Sequence, residues 1–478
     1  MGWSLPDVPA KGETPAWSPW VCLSIIFAGT FIALVRVVWR APAGELPALA
    51  SGYWLPLTGY TLAGIMIAIT LYLLRWEIRA FSCWNWNNWR RNMHLAWRRQ
   101  AHQHMSVVSS VMLTADPLLL PRLAGEIVDA DDEKTTPQTL FPGEPLTPGI
   151  SRFEQLCQRL ITQVKPSLLQ YYPSGKLTVL VQTSASDKNQ ESYWISYIWN
   201  TANLPWVADI HVLPTAFSFK EWNHYLSFTL TPILVLTLHY RQPDEKIPEF
   251  AGALVLVPPA LLKASERRDV VRIFRAMPLN TGVLARELAE LRDMEQQPAN
   301  IKHLIWHSDL SASSCQALGR VIHELPLPLH TDIAAGGIID FMKFSTDYGP
   351  LTGWLMIGAA TEMAACGLGS HWLLHSDGKQ TWAVVLGNAP PVIHDNVLIS
   401  SSAPYPAGTL MLALLLNIMA FGFIGSIYPA WLFSWLGMVT SLLSMAITLS
   451  GTVFLLRKIV AYQQRPQFNQ AAGRSRKE

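Results

Sequence analysis

The sequence predicts an α/β fold, a layered body carried between two pairs of transmembrane helices, and three observations predict it. Charged residues make up only 15% of the 478, whereas a soluble domain carries about a quarter. Four apolar runs are long enough to cross a hydrocarbon core, which takes about 20 residues at about 1.5 Å rise. Between the second and third runs, continuous apolar β-type stretches alternate with helical spacing, the pattern of a sheet covered on both faces.

Residues 1–18 are polar and contain Pro6, Pro9 and Pro15, so a short disordered lead is expected. Residues 20–38 form the first span, apolar except for Arg36. The leader carries Asp7 and Glu13 and no basic run, which excludes a cleaved signal peptide. Residues 53–74 form the second span, so 19–74 hold the first pair, joined by a loop with Pro42, Gly44 and Pro47. After it come Arg75, Arg79, Arg90, Arg91, Arg98 and Arg99, opposed by Glu77 alone. The tail at 457–478 repeats that sign with Arg457, Lys458, Arg465, Arg474, Arg476 and Lys477. Basic residues flanking spans mark the cytoplasmic side. Both termini and the central body are therefore expected in the cytoplasm, and the short loops at 40–52 and 428–429 on the other side.

Residues 81–104 interleave tryptophan with arginine. Directly after a span, this reads as an interfacial helix with its arginines on lipid phosphates. A net charge of +2 gives no electrostatic case for nucleic acid. The segment 75–150 is thus expected to be a basic juxtamembrane helix and a linker. Its part from 106 holds at most one or two short elements and an acidic patch of Asp129, Asp131, Asp132 and Glu133.

The α/β body is expected over 151–390. Apolar spacing predicts helices at 153–169, 264–275, 281–292, 311–325 and 353–366, and strands at 177–183, 232–239, 251–257, 301–306 and 381–386. Gly367-Leu368-Gly369-Ser370 reads as a turn. Residues 405–427 and 431–456 make the second pair of spans, a hairpin broken at Tyr428-Pro429-Ala430. Asn417 within it can join helices by hydrogen bonding, and Gly422, Gly425 and Gly437 permit close contact. Ion pathways recruit ionisable side chains, and these spans carry almost none.

The five cysteines, Cys22, Cys83, Cys157, Cys315 and Cys366, are scattered and lack CxxC or Cys/His spacing. That excludes a disulfide framework and a zinc motif. The chain has no GxSxG elbow, Walker loop, HExxH or GxGxxG, so no metal or cofactor is expected.

One set of motifs resembles a known family. PEFAGALVL at 248–256 follows PILVLTLHYRQPDE and precedes ALLKASERR. Later come IWHSDLSASSCQALGRVI at 305–322 and MKFSTDYGPLTGWLMIGAATEMAA at 342–365. Their order is similar to that of thiolase-like condensing enzymes of the β-ketoacyl-synthase type, over 230–386 and by element order over 150–390. The resemblance implies a thiolase-like body, with His307 where the family has its first catalytic histidine and Lys343 where it has its lysine. Asp347-Tyr348-Gly349 occupies the neighbourhood of the second histidine. No cysteine occurs between Cys157 and Cys315, where the family's nucleophile would stand.

With that thiol missing, His307 and Lys343 are expected to be vestigial and the chain not to be an enzyme. Structural roles are ready for each: a strand-end histidine, a solvated lysine, and Cys315 as core. The general plan of spans and body also resembles adaptors of bacterial type VI secretion. This implies a multi-pass inner-membrane adaptor that contacts lipid and holds a protein partner, a secreted effector or a component of the secretion machine. Two other readings stay open. One is a membrane-bound acyltransferase or condensing enzyme with an atypical site around His307, Lys343 and Cys315. The other is an immunity or membrane-component protein whose function lies in its spans.

Overall fold

The computed structural model describes residues 3–40, 51–127, 139–144, 148–184, 188–215, 219–240, 247–267, 270–331, 336–376, 380–392 and 402–474. The acidic patch at 129–133 and most of the 40–52 loop lie outside them. By contact density the chain forms two units, Met1–Leu5 with Trp97–Ile393, and Pro6–Ala96 with His394–Glu478.

Helices α1 (Pro19–Arg40) and α2 (Ser51–Ala101) come first, then β1 (His104–Thr114), α3 (Leu119–Leu123) and α4 (Arg152–Tyr171). β2 (Gly175–Thr183), α5 (Lys188–Thr201), β3 (Trp206–Val212), α6 (Phe219–Phe228), β4 (Ile233–His239) and β5 (Phe250–Val257) follow. Next are β6 (Val271–Phe274), β7 (Met277–Leu279), α7 (Leu284–Asp293), β8 (His303–Ser308), α8 (Ala312–Glu324) and β9 (Ile338–Asp340). The body closes with α9 (Thr352–Ala365), β10 (Ser370–Ser376) and β11 (Thr381–Gly387). After it come α10 (Ala407–Ile427), α11 (Pro429–Leu432) and α12 (Trp435–Arg474).

The body is a mixed α/β structure on an eleven-stranded sheet, and its topology is duplicated. The strand path runs β3-β2-β4-β5-β1-β6-β11-β10-β8-β9. Read outward from the central β1–β6 pair, both halves have the same order. In the first, β2 pairs in parallel with β3 and β4, while β5 runs antiparallel to β4 and to β1. In the second, β8 pairs in parallel with β9 and β10, while β11 runs antiparallel to β10 and to β6. Register repeats as well. Thr183 faces Leu238, which faces Ala251, and in the second half His307 faces Leu374, which faces Ala383. The halves meet where β1 and β6 pair antiparallel.

Three apolar clusters make alternating layers. One lies between β2, β4 and β5 and helices α4 and α5; another joins β8, β10 and β11 to α7 and α8. Between them is a central layer that draws on both halves, with Leu180, Val235 and Phe250 on one side and Trp306, Leu373 and Trp382 on the other. Helix α9 fills this layer and is buried along nearly its whole length. Burial on both faces is why these strands are continuous apolar runs. Ser151 caps α4 by accepting the Glu154 N–H, and Ser311 caps α8 by accepting the Ser314 N–H at 3.3 Å, as serines at N-caps do.

Three expectations are corrected. The 106–150 segment contains β1, a central strand paired on both edges. Its serines hide it from an apolar count, because tertiary pairing rather than composition recruits it. The helix expected at 264–275 is instead a turn followed by β6, since VRIF is held between β1 and β11. The basic segment after the second span continues α2 to Ala101, with no glycine or proline after Gly64 to break it.

Among the described residues, four helices are long and apolar enough to cross a membrane: Pro19–Trp39, Leu57–Ala101, Ala407–Ile427 and Trp435–Gly473. Buried Glu77 accepts the Thr409 N–H at 2.7 Å in the first turn of α10, where a carboxylate complements the positive end of the helix. Asn417 Nδ2 donates to Thr448 Oγ1 at 2.7 Å, tying α10 to α12. Residues 3–18 have no helix or strand, and the carbonyls of Val8, Pro9 and Pro15 accept from Arg90, Trp86 and Trp76.

Three imidazoles of the body are held neutral by burial of the ring. Burial pulls His104 and His303 from 6.5 to about 4, and His371 to about 3. Below pH 6.5 the unfolded chain takes up protons that the folded chain refuses, so stability is complete above 6.5 and falls as the pH drops toward 4. Urea unfolding followed by tryptophan fluorescence should show the midpoint declining across that window. His303→Phe should shallow the decline by about one proton's contribution; an unchanged pH dependence would refute the assignment.

Candidate functional site

At the carboxyl ends of the parallel strands β8, β9 and β10, four side chains converge, the place where open α/β sheets position ligands. Strand parity aims them. Leu304 and Trp306 enter the central layer and Ile305 the outer one, so His307 points outward at α8 and Ser308 inward. Cys315, one turn into α8, has its Sγ 3.9 Å from His307 Nδ1 and 3.7 Å from the Leu310 carbonyl oxygen. Asp340, at the end of β9 beside His307 in register, places Oδ1 3.9 Å from the same Nδ1. Lys343 Nζ is 4.0 Å from Asp340 Oδ2. His307, Lys343 and Cys315 are thus brought together, and Asp340 links the first two.

Electrostatics set the resting state. Burial lowers the His307 pKa, with Asp340 opposing that shift and Lys343 adding to it, so the ring is a neutral base at pH 7. Burial and the Asp340 carboxylate raise the Cys315 thiol above its usual range, while Lys343 pulls it down. The pair therefore rests as thiol and imidazole rather than thiolate and imidazolium. Proton transfer to His307 has to accompany bond formation at sulfur, which is general-base rather than pre-ionised nucleophilic chemistry.

Behind this cluster lies a second one. Ser308 Oγ is 2.7 Å from His375 Nδ1, both buried, and Asp309 Oδ2 is 3.8 Å from the same nitrogen. The first half repeats the pair, since Ser184 Oγ is 2.8 Å from His239 Nδ1. At the duplicated position of His307 and Cys315, Thr183 Oγ1 donates to Glu191 Oε1 at 2.6 Å. Tyr348, from the neighbourhood of the family's second histidine, packs edge-on against His239, with ring centroids 5.6 Å apart. Asp340, Ser308, Asp309 and His375 were missed from sequence. A signal existed in the tripeptide His-Ser-Asp, which occurs at 307–309 and again at 375–377. Among the described residues, no group of three or more His, Cys, Asp or Glu side chains could hold a metal ion.

No protein-family model and no curated protein sequence matches the chain. Solved structures do. It is similar to cerulenin-bound OleA of Xanthomonas campestris, at 10% identity and TM-score 0.37 over 61% of this chain and 98% of that one. A type II polyketide acyl-carrier protein in complex with its ketosynthase bound to the hexaketide gives 10% and 0.42 over 60% and 99%. The tetronic acid condensing enzyme AbyA1 gives 11% and 0.38 over 59% and 99%. The expectation that this chain is not an enzyme is corrected. Its premise was a missing thiol, and the thiol of Cys315 stands beside the His307 imidazole at the strand ends.

The charges around Cys315 predict opposite effects from two substitutions. Asp340→Asn should speed iodoacetamide labelling of Cys315 at neutral pH several-fold, and Lys343→Met should slow it, because thiolate is the reacting form. Peptide mass spectrometry against exposed Cys366 checks both; shifts of the same sign in the two variants would refute the geometry.

Proposed function

We propose that the chain is a membrane-associated enzyme of thiolase-like build that transfers acyl groups through Cys315. The observation that carries this reading is the 3.9 Å approach of Cys315 Sγ to His307 Nδ1 at the strand ends. The duplicated sheet and the order of the AGALVL and HSD motifs support the thiolase-like build. A condensing-type acyl thioester is the fitting donor. As Sγ attacks its carbonyl carbon, the thiol proton passes to His307 Nδ1, and Asp340 stabilises the imidazolium. When the tetrahedral intermediate collapses, the C–S bond to the leaving thiol breaks and His307 returns the proton to that sulfur. The product is an acyl-Cys315 thioester ready for a second acceptor. Lys343, itself largely exposed, offsets the Asp340 charge that would otherwise penalise developing thiolate.

The nucleophile in this reading is not where the resembling family carries its own. It sits on α8, in the second half of the duplication. The four apolar helices support anchoring in a bacterial inner membrane, and the flanking arginines support a cytoplasmic body. An acyl donor or acceptor drawn from the bilayer would then be close at hand. The adaptor reading required an inert body, and it lapses with that premise.

The test is acyl capture. Full-length protein in detergent, incubated with short- and long-chain acyl-CoA, should gain the mass of one acyl group on the peptide containing Cys315. Cys315→Ala should abolish the gain, and His307→Ala should slow it by about two orders of magnitude, as loss of a general base does. Acylation elsewhere, or none with either donor, would overturn the proposal.

A further inference from the structure

On the outer face of the second half, an open cleft of about 830 Å³ lies between the amino end of α8, the residues that follow β7, and the strand ends of β10 and β11. Its polar lining is of one kind. Thr281, Ser314, Ser376 and Thr381 bring hydroxyls and Asn280 brings an amide, with Leu279 as an apolar patch. Asn280 already accepts the Gly282 N–H through Oδ1 at 3.0 Å, which leaves its amide hydrogens as donors. Among the described residues lining the cleft, Asp309 is the one carboxylate and none is a lysine or arginine.

Asp309 lines the cleft. Its backbone is in the left-handed region at φ 56°, a conformation uncommon outside glycine and asparagine-like residues and concentrated at functional sites. Buried His375 lies behind its carboxylate, with Nδ1 3.8 Å from Oδ2. Hydroxyls and an amide that donate and accept, around one acceptor-only carboxylate, complement vicinal hydroxyls.

We propose that this cleft binds a neutral polyhydroxylated ligand, a sugar or a sugar-like headgroup, with Asp309 accepting from two adjacent hydroxyls. Leu279 meets the apolar C–H face of the ring. The proposal goes beyond the acyl-transfer reading and stands or falls without it.

The experiment is saturation-transfer NMR on the full chain in a detergent without a sugar head. Glucose is the probe, with inorganic phosphate and ethanolamine as anionic and cationic comparators. Saturable glucose binding is expected, weakened about tenfold by Asp309→Asn, which keeps a side chain that tolerates the backbone conformation. Thr281→Val at the exposed rim should weaken it several-fold with an unchanged circular dichroism melt. Cys315→Ala, which ends acyl capture, should bind glucose as before, so failure of one proposal is separable from failure of the other. Competition by a short-chain glycolipid stronger than by glucose would support the same site and identify a lipid headgroup as the source. Preference for phosphate or ethanolamine, absence of saturable glucose binding, or equal affinity in both variants would overturn the proposal.

Discussion

Burying one apolar helix between two copies of the same sheet is the constraint on which the body depends. Helix α9 has no polar face to give to water, and nearly all its side chains are buried. Both halves must close on it, and they do so by sharing the antiparallel β1–β6 seam. The layer tolerates few polar groups; among the described residues, the indole nitrogens of Trp222 and Trp382 have no hydrogen-bond partner there, and others are paired across elements. Trp354 Nε1 donates to Gln182 Oε1 at 2.7 Å, and Gln182 Nε2 donates to the Thr215 carbonyl at 2.9 Å, joining α9 to the first half. Trp306 Nε1 donates to His371 Nδ1 at 3.1 Å in the second. An unpaired indole or amide here would cost about 1–3 kcal/mol.

That closure also decides which groups can react. Because successive strand residues alternate faces, seating Trp306 in the central layer turns His307 toward α8. A slip of one residue would exchange the roles of His307 and Ser308. The duplication makes the choice visible. At matching positions the first half has Thr183 and Glu191, hydrogen-bonded and unreactive as a nucleophile–base pair, while the second has His307 and Cys315. One scaffold thus presents a structural polar contact on one side and a thiol–imidazole contact on the other. The Ser–His pairs at both sets of strand ends are what the halves retain in common.

Much of this architecture could be read from the amino acids alone, and the exceptions share physical causes. The strands at 177–183, 232–239 and 251–257 were apparent because burial on both faces leaves uninterrupted apolar runs. β1 was not, because its serines and partial exposure break that run and only its two neighbours make it a strand. β6 is four residues long, too short for periodicity to separate from helix. At the site, the resemblance drew attention to His307 and Lys343, which both approach Asp340, but it also fixed the search for a thiol on the stretch before AGALVL. Cys315 looked like core because its imidazole partner is eight residues away on another element. Asp340 was invisible because its proximity to His307 comes from a parallel strand pairing that no local pattern encodes.

The central claim is that the neutral thiol–imidazole pair of Cys315 and His307 opens a thioester and holds the acyl group. Pre-steady-state release of free thiol from an acyl thioester tests it most directly. The account predicts a burst of one equivalent per chain, whose rate falls as acid protonates His307 and whose amplitude disappears in Cys315→Ser. Steady release with no burst, or a full burst from the serine variant, would contradict it.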